Sequence, residues 1–198
     1  RQAAEAIGSA DWVYGQFETA LPAVQASFEL ARQHHVPTVL NPSPWQPVSP
    51  QLLALTDVLL VNELEAAALL GVSELAAPPD KTLLHLDSAV AALWEQWSGR
   101  LLVVTLGERG CVAYRRNRPR VAIPAFTVNA VDTLGAGDAF ASGLLCALPA
   151  IDAPEEALVA SLRYACACGA IMASHAGVLG ALPRAPDVSA FMSAHSRS

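Results

Sequence analysis

The sequence predicts an α/β fold with a mainly parallel sheet and helices on both of its faces. Short apolar runs typical of strands alternate with segments of helical periodicity along almost the whole chain, and such alternation builds parallel sheets. The stretch "RLLVVTLG" at residues 100–107 has a continuous apolar centre, as expected of a strand that is buried on both faces. The chain has 198 residues, which are enough for one domain, and we expect a single Rossmann-like α/β domain over residues 1–198.

The first half of the chain contains three predicted strands, at residues 12–15, 36–40 and 57–61. A helix is expected after the first strand, because apolar residues recur at helical spacing from Leu21 onward. The prolines of "NPSPW" end the second strand. The third strand leads into "NELEAAALLG", a short helix that we expect Gly71 to end.

The second half continues the alternation. Asp87 is predicted to cap a helix whose apolar face includes Trp94 and Trp97. The remaining elements are a buried strand, the two strands of a hairpin and two helices, at residues 100–107, 111–114, 121–123, 138–148 and from Pro154 onward.

The formal net charge of −6 argues against wholesale binding of nucleic acid. One dense basic cluster surrounds Asn117 and Pro119, two residues that favour turns. It consists of Arg115, Arg116, Arg118 and Arg120. We interpret this cluster as the solvated tip of a hairpin rather than as a phosphate-binding patch.

The sequence shows no uninterrupted apolar run long enough to span a bilayer and no leader that resembles a signal peptide. We therefore expect a cytoplasmic protein without a membrane partner. The four cysteines do not form a disulfide scaffold at this length, and we expect all of them to be small core side chains. They are Cys111, Cys146, Cys166 and Cys168.

The stretch "VDTLGAGDAF" at residues 131–140 places two aspartates around a Gly-Ala-Gly turn, directly before an apolar helix. Gly135, Ala136 and Gly137 lie at the start of that helix, where unpaired backbone N–H groups and the helix dipole favour an anion. Small side chains let the backbone approach a phosphate closely. We therefore interpret the turn as a phosphate site.

Asp138 follows this turn and cannot serve to hold the phosphate, because like charges repel. It could take a proton from a hydroxyl that attacks the phosphate, or help to hold a metal, and the first role is the more specific one. The structural alternative is that Asp138 only stabilises the helix N-terminus. The glycines favour a functional role, since a cap does not require them. The dinucleotide pattern G-x-G-x-x-G fails at Phe140.

The stretch "DTLGAGDAFASGLL" resembles the C-terminal signature of the ribokinase-like carbohydrate kinases. "NPSPW", "VNELEA" and "VTLGERG" resemble other segments of that family in the same order, and the similarity extends from about Trp12 to Pro183. Within the family, "QFET" followed by "NPSP" is most similar to the ribokinase branch. The resemblance implies ATP-dependent phosphorylation of the primary hydroxyl of a sugar, with the conversion of D-ribose to ribose 5-phosphate as the first expectation.

The resemblance also implies roles for individual residues. Asp138 is expected to deprotonate the sugar hydroxyl, and Glu18 is expected to contact the sugar. Backbone N–H groups of Gly135, Ala136, Gly137 and Asp138 are expected to form an anion hole for the transferring phosphoryl group. The residues expected around ATP and Mg²⁺ are Asn62, Glu65, Thr105, Gly107, Arg109, Gly110 and Cys166.

A monovalent cation, typically potassium, is implied beside the same turn, where it would position the turn rather than take part in the chemistry. Its expected surroundings are Asp132, Leu134, Met172, His175, Gly177 and Ala181. The family usually has Ser where this chain has Ala181, so the chain departs from the pattern at that position.

The family's N-terminal portion, with a Gly-Gly sugar-binding motif and a β lid that often forms a dimer, is missing from this sequence. We therefore expect the chain to be the C-terminal, nucleotide-binding and catalytic portion of a sugar kinase. A homodimer is expected at most for the longer parent. Two alternatives stay open: a truncated, non-catalytic nucleotide-binding module of the same fold, and a kinase for another sugar or a nucleoside. A purely structural domain would leave the Asp-bracketed glycines unexplained.

Overall fold

The computed structural model describes residues 2–72 and 79–195. The strands in these ranges are Val13–Gln16 (β1), Thr38–Asn41 (β2), Val58–Asn62 (β3), Leu101–Thr105 (β4), Cys111–Arg115 (β5) and Val121–Ile123 (β6). The helices are Gln2–Gly8 (α1), Leu21–Gln33 (α2), Pro50–Ala54 (α3), Glu63–Leu70 (α4), Pro79–Gln96 (α5), Ala136–Ala147 (α6), Glu155–Ala173 (α7) and Ala185–His195 (α8). Short 3-10 turns occur at Gly107–Arg109 and Leu179–Ala181.

The six strands lie in the order β1-β2-β3-β4-β5-β6, so strands that follow one another in the chain are neighbours in the sheet. β1 and β2 are parallel, with Val13 opposite Thr38. β2 and β3 are also parallel, with Val39 opposite Val58. The predicted class, a mainly parallel α/β sheet flanked by helices, is confirmed.

The chain divides into two compact units. The first unit consists of Arg1–Val104 and Ala113–Arg120, and the second of Thr105–Val112 and Val121–Ser198. In the first unit α2 packs on β1 and β2, while α4 packs on β3. In the second unit α7 packs against α6, α8 and β6. The single domain expected over residues 1–198 stays a prediction.

The apolar face predicted for α2 is the face that the structure buries. Val24, Phe28 and Ala31 are buried, while Leu21 at the first position of the helix is exposed. Gly71 ends α4 as predicted: its φ of 65° is left-handed, and its N–H donates to the carbonyl of Ala67. Periodicity and a C-terminal glycine were therefore sufficient signals for these two helices.

The interpretation of the arginine cluster as a solvated hairpin tip holds for Arg116, Arg118 and Arg120, which are exposed, and is wrong for Arg115. Arg116 donates to the carbonyl oxygens of Trp94 and Trp97 at the end of α5, and its guanidinium lies 5.2 Å from the centroid of the Trp94 ring. Arg115 is buried. The hairpin is therefore attached to α5, because the arginine satisfies carbonyls that the last helical turn leaves without helical partners.

The predicted cap at Asp87 is also wrong. α5 begins upstream at Pro79, so Asp87 lies well inside the helix. Its carboxylate forms an ion pair with Arg120 of the hairpin instead. A residue that favours helix starts was therefore used for a tertiary contact.

Three of the four cysteines are core side chains as expected, namely Cys111, Cys166 and Cys168. Cys146 is exposed on α6, so the expectation is wrong for that residue.

One described helix, α7, is long and apolar enough to cross a membrane, judged by its length and composition alone. The sequence analysis did not anticipate this. In the protein, 56% of its most apolar stretch is buried. A buried core helix of a soluble protein can be equally long and apolar. Length and composition alone therefore do not distinguish a core helix from a membrane-spanning helix.

Replacement of Arg116 by alanine tests the attachment of the hairpin to α5. We expect Arg116→Ala to lower the free energy of unfolding by about 1 kcal/mol, because it removes two hydrogen bonds and a cation–π contact. The matched control is Arg118→Ala in the same exposed turn, for which we expect a change within about 0.5 kcal/mol. Urea unfolding of both variants measures the difference, and equal effects would contradict the attachment.

Candidate active site

The turn before α6 requires glycine at position 135. Gly135 is the N-cap of α6 and has a left-handed φ of 77°. A Cβ at this position would lie 2.9 Å from the methyl carbon of Met172 and 3.3 Å from Cγ1 of Val178. Any other residue would therefore be strained in its backbone and crowded against α7 and the loop that follows it.

The first turn of α6 presents its backbone to an anion. The N–H of Ala136 donates to Thr133 and that of Ala139 donates to Gly135. Within the described residues no side chain caps this helix, and a Cβ built on Gly137 meets no atom within 4 Å. The backbone at Gly137 is thus open to a ligand, and helix N-termini favour anions. The phosphate site stays a prediction, and the N–H of Ala136, one of its expected donors, is used within the chain.

Asp138 is exposed and lies in the first turn of α6, directly after Gly137. The next two residues, Ala139 and Phe140, are buried. The apolar side of the helix therefore faces the core while the carboxylate remains accessible. A general base at a phosphate site needs an accessible carboxylate, and Asp138 has that exposure next to the open backbone at Gly137.

The segment around Asp132 is attached to the end of α7. The N–H groups of Val131 and Asp132 both donate to the carbonyl of Ala173, at 2.8 and 3.2 Å. The Oδ1 atom of Asp132 accepts the N–H of Leu134 at 3.0 Å. The aspartate thus shapes its own turn, two residues before the glycine that begins the anion site.

The predicted surroundings of a monovalent cation come together in part. The carbonyl of Met172 accepts the N–H of His175, and Gly177 has a left-handed φ of 78°. Main-chain carbonyls and the Asp132 carboxylate are hard oxygen ligands, which suit an alkali cation. Ala181 is buried in an apolar cluster with Met172 and Val188, so it supplies no side-chain oxygen. The described residues contain no group of three or more His, Cys, Asp and Glu side chains that could hold a metal.

The turn after β4 also depends on a glycine. Thr105 ends β4, and the N–H of Leu106 donates to the carbonyl of Gly110 at 2.8 Å across the turn. Gly110 has a φ of 94°, and a Cβ there would lie 2.0 Å from the carbonyl oxygen of Ile123. Arg109 in this turn is half-buried. The predicted nucleotide segment is therefore a tight turn closed against the chain after β6.

In the first unit, Asn62 and Glu65 form a reciprocal cap at the start of α4. The side chain of Asn62 accepts the N–H of Glu65, and the carboxylate of Glu65 accepts the N–H of Asn62, both at 2.9 Å. Glu65 is only 3% exposed. The N-x-x-E pair thus has a structural task whatever else it does.

Asn41 is a residue of this site to which the sequence analysis assigned no role. Its side-chain amide donates to the carbonyl of Leu60 at 2.8 Å and to Glu65 Oε2 at 3.3 Å. Its own Oδ1 accepts from Tyr14 and Gln16 of β1. Asn41 therefore connects the ends of three parallel strands to the buried glutamate, and its position at the end of a predicted strand was the available signal. Glu18 is exposed after β1.

Cys166, expected near the nucleotide, lies in the second unit and contacts Cys111, the residue after Gly110. Its sulfur is 3.7 Å from that of Cys111, and both side chains are buried. The hydrogen bond from Cys111 lowers the pKa of Cys166. The same contact and burial raise the pKa of Cys111, and burial raises that of Cys168 to about 11.

The structure thus assembles two local groups of predicted site residues. The second unit brings Asp132 and the turn at residues 135–138 against the end of α7, and Cys166 against the residue after Gly110. The first unit brings Asn62 and Glu65 together. Their assembly into one site stays a prediction.

The protein is thus an α/β protein with a glycine turn at the start of α6, where an anion could bind beside the accessible carboxylate of Asp138. A model of the pfkB family of carbohydrate kinases matches residues 4–185. That match covers most of the sequence, and the chain belongs to this family.

Individual relatives agree with this assignment. The ribokinase of Haemophilus influenzae is 31% identical over 195 residues, which cover 97% of this chain and 59% of the relative. Fructokinase-1 of Zea mays is 37% identical over 135 residues, which cover 67% of this chain and 38% of the relative. The chain therefore spans well under two thirds of the length of these relatives.

A solved structure shows the same fold. The ribokinase of Arabidopsis thaliana, complexed with ribose and ATP, superposes with a TM-score of 0.84 at 22% sequence identity. The match covers 96% of this chain and 58% of that one. At this identity the likeness establishes the fold alone.

Two glycines of the same turn provide a matched test of its geometry. Gly110→Ala is expected to lower the free energy of unfolding by about 3 kcal/mol, because it adds a backbone clash to the strain of a left-handed φ. Gly107 also has a left-handed φ, of 59°, but a Cβ there meets no atom within 4 Å. Gly107→Ala is therefore expected to cost only about 1 kcal/mol. Thermal or urea unfolding that ranked the two variants in the opposite order would contradict the described turn.

Proposed function

We propose that this chain is the catalytic, nucleotide-binding part of an ATP-dependent sugar kinase that phosphorylates a primary hydroxyl. The observation that carries the proposal is the accessible Asp138 beside the open backbone of Gly137 at the start of α6. Membership of the pfkB family supports it, because carbohydrate kinases transfer a phosphoryl group to an alcohol. The activity is a proposal for the whole protein, of which the chain spans a part.

In this mechanism Asp138 accepts the proton of the sugar hydroxyl as its oxygen attacks the γ-phosphorus of ATP. The first-turn N–H groups of α6 bind the phosphoryl oxygens as charge moves to the leaving diphosphate. Gly135 keeps this turn against Met172, so the donors are held in place before the substrate arrives.

The metal ions belong to the proposal as well. Mg²⁺ would neutralise charge on the phosphates, and Glu65 with Asn62 is the carboxylate-containing pair proposed for its surroundings. Potassium would contact the Asp132 carboxylate, the Leu134 carbonyl and carbonyls from residues 172–181. The contact of Asp132 with the end of α7 supports that second assignment. A bound cation there would stiffen the turn and leave the proton transfer to Asp138.

Ribose is the sugar that we propose first, with Glu18 as a contact. Ribokinases of several organisms are among the similar proteins, which supports this choice, but fructokinases are also among them. ATP as the phosphoryl donor is supported by the family and by the ATP-bound Arabidopsis ribokinase. A cytoplasmic location and a dimer of the longer parent remain proposals.

The role of Asp138 is tested by a coupled assay of ATP consumption with ribose, fructose or no sugar. We expect sugar-dependent turnover, with ribose preferred, and a loss of about 100-fold or more in Asp138→Asn, because asparagine cannot accept the proton. Calorimetry should show that the variant still binds ATP. The matched control is Asp11→Asn, an exposed aspartate before β1, which should leave turnover unchanged.

Each outcome of that assay bears on the proposal. Binding of ATP without turnover, at any sugar, would favour the non-catalytic module instead. No binding of ATP would contradict the nucleotide site altogether. Turnover with fructose but not ribose would overturn only the choice of sugar.

Glu65 is tested by a substitution that keeps its shape. Glutamine retains a carbonyl oxygen that can accept from the Asn62 N–H and the Asn41 amide, so Glu65→Gln should change the free energy of unfolding by less than about 1 kcal/mol. If its charge serves Mg²⁺, the variant should need about tenfold more Mg²⁺ for half-maximal turnover. Glu63→Gln in the same helical turn is the control. An unchanged Mg²⁺ requirement would assign Glu65 to the cap alone.

A further inference from the structure

The second unit contains a pair of buried thiols that the proposed phosphoryl transfer does not use. Cys111 opens β5 and Cys166 lies in the middle of α7. Their sulfurs are 3.7 Å apart although the residues are 55 positions apart in the chain. A disulfide bond is about 2.05 Å long, so the two sulfurs would need to approach by only about 1.7 Å.

The two thiols differ in accessibility and acidity. Both residues are buried, and Cys166, at 7% exposed, is more exposed than Cys111 at 2%. The hydrogen bond from Cys111 lowers the pKa of Cys166, and the positive charge of Arg163 acts in the same direction. A thiolate is the nucleophilic form of cysteine, so the more accessible sulfur is also the more reactive one.

We propose that Cys111 and Cys166 form an oxidisable pair that closes to an intramolecular disulfide when the protein meets a peroxide. The thiolate of Cys166 attacks one oxygen of hydrogen peroxide, the O–O bond breaks, and hydroxide leaves and is protonated to water. Cys111, after losing its proton, attacks the sulfur of the resulting sulfenic acid. The S–S bond forms, the S–O bond breaks, and the oxygen leaves as a second water. Two sulfurs thus lose two electrons and two protons to one peroxide.

The cross-link would join two elements next to the proposed nucleotide turn. Cys111 directly follows Gly110, whose φ and contacts close that turn. Disulfide formation would draw the sulfur of Cys111 toward α7. We expect this movement to shift the neighbouring residue Gly110, at which the turn ends. The expected consequence, weaker ATP binding by the oxidised protein, rests on the proposed function. Formation of the disulfide does not.

The experiment treats the folded chain with a small excess of hydrogen peroxide, denatures it, and alkylates the remaining thiols. A Cys146→Ser background removes the exposed thiol, which would otherwise link two molecules. Tryptic cleavage places Cys111 in residues 110–115, and Cys166 with Cys168 in residues 164–184. We expect mass spectrometry to find these two peptides linked through Cys166, and dithiothreitol to separate them.

Matched variants assign the bond. Cys166→Ser should abolish the linked peptide, whereas Cys168→Ser, a buried cysteine two residues further along α7, should keep it. If Cys166→Ser fails to fold, fragmentation of the linked peptide from the Cys146→Ser protein assigns the bond by itself. Oxidation of Cys166 to sulfinic acid without a linked peptide, or reduced sulfurs at both positions, would overturn the proposal.

Calorimetry with ATP on the reduced and oxidised forms separates the two levels of inference. Weaker binding after oxidation, recovered with dithiothreitol, supports regulation of the nucleotide site. Equal binding by the two forms leaves the disulfide in place and overturns its regulatory effect. Absence of ATP binding in the reduced form contradicts the proposed function and leaves the mass-spectrometric result standing.

Discussion

One carbonyl group at the end of α7 determines where the candidate catalytic turn lies. The carbonyl of Ala173 accepts N–H groups from Val131 and Asp132, and this holds the start of the turn against the core helix. Asp132 then accepts the N–H of Leu134, and Gly135 fits against Met172 of the same helix. The direction in which α6 begins follows from these contacts. The carboxylate in its first turn is thus positioned by α7 as well as by its sequence neighbours.

The two helix N-termini that carry candidate site residues are capped in opposite ways. At α4, Asn62 and Glu65 satisfy one another, so the positive end of that helix is stabilised by the protein's own carboxylate. At α6 the cap is Gly135, which has no side chain, and within the described residues no side chain caps that helix. This helix start therefore leaves room for an anion at Gly137, which the start of α4 does not offer in the same way. Both helix starts have backbone N–H groups without helical partners. A side-chain cap at α4 uses them for stability, whereas the glycine cap at α6 leaves room for a ligand.

The sequence predicted those features that depend on neighbouring residues. The buried face around Phe28 follows from periodicity, and Gly71 ends a helix because it tolerates a left-handed φ. Features that depend on distant partners were wrong or missed. Asp87 has the propensity of a cap but lies inside a helix, and its partner is Arg120. The Asn41 side chain donates a hydrogen bond to Glu65, which is 24 positions away in the chain, and no local sequence pattern predicts such a contact.

α7 contacts both candidate site turns of the second unit. Cys166 and Ala173 are seven residues apart, so they lie on the same face of the helix, about 10 Å from one another. Cys166 contacts the residue after the Gly107–Gly110 turn, and Ala173 holds the turn before α6. A helix with a continuous hydrogen-bond ladder moves as a unit over two turns. We therefore expect a shift of α7 at Cys166 to move the Ala173 carbonyl, which holds the turn before Asp138. Because such coupling is reciprocal, a ligand that fixes the turn before α6 should also oppose a shift of α7 at Cys166.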